Sequence, residues 1–181
     1  LEPFRRMYPN QLKRTIQEHY ALRDILKDTN FNVIILFREK TTENGNQYRI
    51  QFIEDPTRQL LVDADFYIPS YGNAAANLKI YSTTNANCDK GILIKSNTTN
   101  YTKTSFERKL INHPYMKKIT GVLTCNKIHD LLYDFDQNGA STENPYVLID
   151  HSRGAGIIKS HPFIKELYTY PSTKLNQILH E

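Results

Sequence analysis

Hydrophobic and polar positions alternate through most of the stretch from Phe31 to Thr83. Phe31, Val33, Ile35 and Phe37 interleave with Asn32, Ile34, Leu36 and Arg38. Tyr48, Ile50 and Phe52 interleave with Gln47, Arg49 and Gln51. Leu60, Val62, Ala64, Phe66 and Ile68 alternate with Leu61, Asp63, Asp65 and Tyr67; Leu78 and Ile80 follow between Lys79 and Tyr81. A period of two sends one set of side chains to a core face and the other to solvent, so the pattern predicts four strands. Short links favour an antiparallel meander, because a parallel pair needs a long crossover. The link Thr41 to Asn46 carries Asn44-Gly45, a hairpin signal. A sheet with one apolar face needs a cover. Asn10 is placed to cap a helix over 11–27, with Leu12, Ile16, Tyr20, Leu22, Ile25 and Leu26 toward the sheet and Asp28-Thr29-Asn30 ending it. The expected fold is α+β: an antiparallel four-stranded meander with an N-terminal helix and C-terminal helices on one face.

Further along, Gly91 to Ile94 is a short apolar run, and the Asn/Thr-rich stretch 96–104 is expected to be exposed. Thr104 and Glu107 have capping-box spacing, opening a short helix with Phe106, Leu110 and Ile111 on one face, stopped by Pro114. A helix over 117–133 is predicted from Ile119, Val122, Leu123, Leu131 and Leu132, and a strand from Tyr146 to Ile149. Pro162 and Pro171 bracket one short helix, and Ser172 caps a last one with Leu175, Ile178 and Leu179 inward. Asn112-His113-Pro114-Tyr115-Met116-Lys117 echoes Ser160-His161-Pro162-Phe163-Ile164-Lys165, and the two read as similar helix junctions. Residues 1–150 are read as one α+β domain and 151–181 as a C-terminal helical extension.

At 181 residues the chain is long enough to bury a core without disulfides or metal. No apolar run has the length of a membrane span, and no signal peptide is visible. Two cysteines, Cys88 and Cys125, are too few for a disulfide framework. The expected setting is therefore intracellular, cytoplasmic or nuclear. A net charge of +4 is mild, and the basic clusters Arg5-Arg6, Lys13-Arg14 and Lys117-Lys118 read as solvated faces.

The catalytic and metal-binding patterns are incomplete. Asp134-Phe135-Asp136-Gln137-Asn138-Gly139 begins like a calcium loop, but Pro145 stands where the bidentate Glu belongs. His113, His129, His151 and His161 are dispersed without i, i+4 spacing. Asp63 and Asp65 share a strand face and read as a wet surface rather than a magnesium site. Gly154-Ala155-Gly156 lacks the rest of a phosphate loop. No cofactor or metal is expected. Twelve tyrosines offer another route: Tyr67, Tyr71 and Tyr81 are candidates for an exposed aromatic strip, since Tyr gives large contact area with a polar tip.

Asp65-Phe66-Tyr67-Ile68-Pro69-Ser70-Tyr71-Gly72, a strand running into a Pro and a Tyr and followed by Leu78-Lys79-Ile80, resembles the RWD domains and the ubiquitin-conjugating-enzyme variants. Those families carry a Tyr-Pro pair where Tyr71-Gly72 stands, and further prolines where Ala74 to Ala76 stand. The similarity covers 11 to about 145. Asn87 to Ile94 looks like the segment bearing the catalytic Cys of the active enzymes, but that slot falls on Ile94, and the His-Pro-Asn triplet is missing. The resemblance implies an RWD-like scaffold without catalysis.

The expected function is non-catalytic protein–protein recognition, as a subunit or adaptor. Hypothesised anchors are Tyr67, Tyr71, Tyr81, Phe163, Leu167 and Tyr168. One alternative is a conjugating-type enzyme forming a thioester on Cys88 or Cys125. The other is single-stranded nucleic-acid binding through Arg5, Arg6, Lys13 and Arg14.

Overall fold

The computed structural model describes residues 9–18, 22–37, 46–52, 55–84, 90–97, 99–150 and 156–180. Contacts divide the chain into two compact units, Leu1–Asp55 and Pro56–Glu181. The C-terminal helix, residues 162–180, is built into the core of the second unit.

Among the described residues the first unit holds helices α1 (Pro9–Glu18) and α2 (Arg23–Lys27), within the stretch 11–27 predicted as helix. Helix α2 ends as expected at Asp28, whose carboxylate accepts from Asn30 N at 2.9 Å in a local turn. Strands β1 (Val33–Phe37) and β2 (Asn46–Ile50) pair antiparallel, Val33 opposite Ile50 and Leu36 opposite Gln47. That is the hairpin the alternation predicts; its Asn44-Gly45 link lies outside the described residues. Ile50 and Leu26 are buried, Phe52 N donates to Leu26 O at 3.3 Å, and Gln17 Nε2 donates to Gln51 O at 2.9 Å.

The second unit is a mixed five-stranded sheet carrying two helices. Its strands are β3 (Gln59–Ile68), β4 (Ala74–Ser82), β5 (Gly91–Lys95), β6 (Asn100–Thr104) and β7 (Ile119–Thr124), in the order β3-β4-β7-β5-β6. The β5–β7 pair is parallel; the other neighbours are antiparallel. The expected single meander over 31–83 is thus overturned: β1 and β2 form a sheet of their own, and β3 and β4 belong to another. Alternation marks strands and their buried face but does not choose which strands pair. The second edge of β4 is taken by β7, from far along the sequence, and β3 has β4 as its neighbour at the sheet edge.

Strand β7 occupies residues where a helix was predicted. Its central residue is Gly121, opposite Ile80 on one side and Ile92 on the other. A Cβ there would run into the Lys79 carbonyl oxygen and come within 2.7 Å of Ile92 Cδ1. Helix α3 (Lys127–Asn138) follows. The capping box at Thr104 does not form. Phe106 takes a left-handed backbone at φ 62°, its N–H donates to Thr104 Oγ1 at 2.9 Å, and only a 3-10 turn, Arg108–Asn112, ensues. The stretch 96–104 is not all exposed loop, since β6 pairs with β5. The strand expected over 146–149 shrinks to β8 (Ile149–Asp150), paired with β9 (Gly156–Ile157).

Helix α4 (Pro162–His180) replaces the two short helices expected on either side of Pro171, and runs through that proline. Phe163, Ile164, Leu167, Leu175 and Leu179 recur at helical spacing and are buried. With Ile128 and Leu131 of α3 they cover Phe66, Ile68, Leu78, Ile80, Ile92, Ile94 and Leu123 of the sheet. Pro171 has no N–H to offer Leu167. Beside it, the Glu107 carboxylate receives the Ser172 hydroxyl and Asn176 Nδ2, tying this turn of α4 to the rest of the unit.

We expect Gly121→Ala to destabilise the protein by about 1–3 kcal/mol, the usual cost of forcing atoms into a packed core. The readout is the urea midpoint at constant m-value. An unchanged midpoint would contradict the close approach of β4 and β5 to β7.

Candidate functional site

The expected anchors do not assemble into one surface. Phe163 and Leu167 are fully enclosed, and Tyr168 is buried with its ring edge-on to Phe106 at 5.0 Å. Tyr71 is buried as well; its hydroxyl donates to Glu143 O at 3.1 Å and its ring meets Phe163 edge-on. These four are core residues, because α4 needs its apolar stripe to cover the sheet. The tail is not a free docking helix. Tyr67 is 65% exposed, whereas Tyr81 is half-buried with the Arg58 guanidinium 4.0 Å above its ring. Tyr67 stands opposite Ala75 and Tyr81 opposite Leu60, six residues apart along β4. At roughly 3.3 Å per residue that is about 20 Å, too far for one strip. Arg5, Arg6 and the Arg14 side chain lie outside the described residues; Lys13 is on α1.

The candidate reactive groups are held in structural roles. The Cys125 thiol is 1% exposed where β7 meets α3, and burial pushes its pKa up, the reverse of what a nucleophile needs. Cys88 lies outside the described residues. Asp134 and Asp136 sit on the last turns of α3, where residues two apart point to different sides, so the calcium-loop geometry is not formed. Asn77 Nδ2 donates to Asp63 at 3.2 Å and to Asp65 at 2.8 Å, and Lys79 Nζ lies 3.0 Å from Asp63. This is an exposed cross-strand pairing. Among the described residues, no group of three His, Cys, Asp or Glu is placed to hold a metal ion, and no helix is long and apolar enough to cross a membrane.

The two His-Pro segments are similar junctions in atomic detail. His113 Nδ1 accepts from Tyr115 N at 3.3 Å, and His161 Nδ1 accepts from Phe163 N at 3.2 Å. In each, the imidazole takes a free N–H at a helix start and proline occupies the first position. The buried copy is anchored further. With Nδ1 accepting, Nε2 carries the proton and donates to Asn144 Oδ1 at 3.2 Å, while Asn144 Nδ2 donates to Leu131 O at 2.7 Å. Sequence reasoning flagged the echo but missed Asn144, whose place in the core depends on the return of α4.

The first unit carries exposed apolar side chains on its hairpin. Strand β1 is apolar throughout, Val33-Ile34-Ile35-Leu36-Phe37, the composition of a strand covered on both faces. Val33 and Ile35 lie on the half-buried side with Tyr48 and Ile50. On the other side Ile34 is 52% and Leu36 68% exposed, opposite Arg49 and Gln47. Next to them is a hollow of about 460 Å³ lined by Leu26, Lys27, Asp28, Phe31, Arg49 and Phe52. Phe31 is 59% exposed, and Lys27 Nζ lies 4.8 Å above the Phe52 ring.

Burial keeps the His161 pKa below its usual 6.5. The unfolded chain therefore binds this proton first as pH falls, so the stabilisation is complete above 6.5 and declines below it. Glu107 is held at about 2 by the Ser172 hydroxyl and Lys109, so its contribution is complete above 4.5 and fades as pH falls toward 2. We expect the urea midpoint of the wild type to drop between pH 7 and pH 5. His161→Gln should start lower and drop less; parallel pH profiles would remove His161 as the cause. Comparison of the chain with protein-family models, with curated proteins and with solved structures gives no match.

Proposed function

We propose that the chain is a non-catalytic protein-recognition domain, a subunit or adaptor, and that its docking surface is the outer face of the β1–β2 hairpin. The observation that carries this reading is the exposure of Ile34 and Leu36 on a strand with no polar residue. A soluble surface tolerates scattered apolar residues, but an apolar stripe beside an aromatic hollow marks a contact site. The partner is a protein segment with an apolar ridge for Ile34 and Leu36. The resemblance to RWD domains and conjugating-enzyme variants implies the same class of function. It adds little, since the single meander of that scaffold is not the arrangement of these strands. A buried Cys125 speaks against thioester chemistry at that residue.

The test is cross-linking and co-purification from the native source with wild type and Leu36→Glu. The expected outcome is a protein cross-linked to the hairpin, lost by at least tenfold in the variant while its thermal midpoint is unchanged. Retention of every partner by Leu36→Glu would reject the surface. A reductant-sensitive adduct with a ubiquitin-like protein would reject the non-catalytic reading.

A further inference from the structure

Strand β3 runs for ten residues along one margin of the five-stranded sheet. Among the described residues its one strand neighbour is β4. The far side of such a strand presents backbone N–H and C=O groups with no ladder to join. A bulge between Leu60 and Val62 interrupts the register, and the pairing with β4 is regular from Val62 to Ile68. Asp63, Asp65 and Tyr67 stand at alternate positions of that run, on one face, and all three are exposed. Opposite them on β4 are Lys79, Asn77 and Ala75. Lys79 Nζ lies 3.0 Å from Asp63, and Asn77 Nδ2 donates to both carboxylates. Asp65 therefore meets a neutral amide, and among the described residues no cation pairs with it.

We propose that this edge takes an extended segment of another protein as an added strand, antiparallel to β3. The segment carries lysine or arginine opposite Asp65, a hydrogen-bond donor opposite Asp63 and an apolar residue opposite Tyr67. In strand addition the backbone ladder supplies affinity and alternate side chains supply selectivity. The pattern repeats what β4 does on the other side of β3, where donors stand opposite both carboxylates. Charge decides the occupant. If two copies paired antiparallel about Ala64, Asp63 of each would face Asp65 of the other, and like charges directly opposite repel. Pairing about Asp63 or Asp65 sets an acid against its own copy. A second copy is thus the disfavoured occupant and a basic segment the favoured one. Tyr67, 65% exposed, offers contact area with a polar tip at one end of the run. On the opposite face Val62 and Ala64 are half-buried, so the intervening residues of the segment are small or apolar. This surface belongs to the second unit and rests on no feature of the hairpin.

The experiment is an amide NMR titration of the full chain with the synthetic peptide Thr-Leu-Thr-Lys-Val-Asn-Val, which sets Leu, Lys and Asn opposite Tyr67, Asp65 and Asp63. Saturable shifts confined to β3 and β4 are expected, together with slower hydrogen exchange at β3 amides. A peptide with Glu in place of its Lys should bind about fivefold more weakly, the scale of exchanging an attractive cross-strand pair for a repulsive one. Asp65→Lys should reverse that preference between the two peptides. N-methylation of alternate peptide residues along one edge should abolish binding, and along the other edge should leave it intact. Leu36→Glu should bind like the wild type, which separates this surface from the hairpin. The idea is overturned by no shift in β3 at millimolar peptide, by equal binding of the Lys and Glu peptides, or by indifference to N-methylation on both edges. Concentration-dependent broadening of β3 amides without peptide would show a second copy on the edge and overturn it too.

Discussion

Strand β7 has no free edge. It bonds antiparallel to β4 and parallel to β5, its Leu123 and Ile119 are buried, and Gly121 lets both neighbours close in where any side chain would hold them apart. The consequences run through the second unit. Because β5 and β7 are parallel, the chain must cross from one end of the sheet to the other between them, and β6 with the two 3-10 turns makes that crossing. Because β7 lies inside, β3 and β6 become the edges. The same arrangement leaves one apolar face, which α3 and α4 cover.

The cover is specified by polar contacts as much as by apolar ones. Greasy surfaces slide past one another with small changes in energy, whereas a buried hydrogen bond has one satisfactory geometry. His161 starts α4 at one place, and Asn144 ties that imidazole to the first half of α3 through the Leu131 carbonyl. Glu107 meets the middle of α4 one residue past the proline that would otherwise weaken it. These groups look like catalytic material in a sequence. In the fold they are spent on holding a helix in register.

On the outer side of the hairpin in the first unit, Ile34 and Leu36 meet water. That is a local excess of one kind of surface, and it calls for a ligand of the complementary kind.

The sequence by itself determined the local elements wherever one periodicity was unambiguous. The alternation through Gln47–Phe52, Leu60–Ile68 and Leu78–Ile80 marked strands, and the Leu and Ile spacing after Pro162 marked a helix. It also marked the two His-Pro junctions. It misled at residues 119–124, where a short apolar run is compatible with either a buried strand or a helix. It misled again at Pro171, where the helix runs on through the proline with buried apolar residues on both sides of it. Only the tertiary structure decided which strand edges met, and that Tyr71 and Phe163 were core and Tyr67 was not. The physical reason is that periodicity reports which face of an element is buried, whereas edge pairing and convergence depend on residues many turns of chain away.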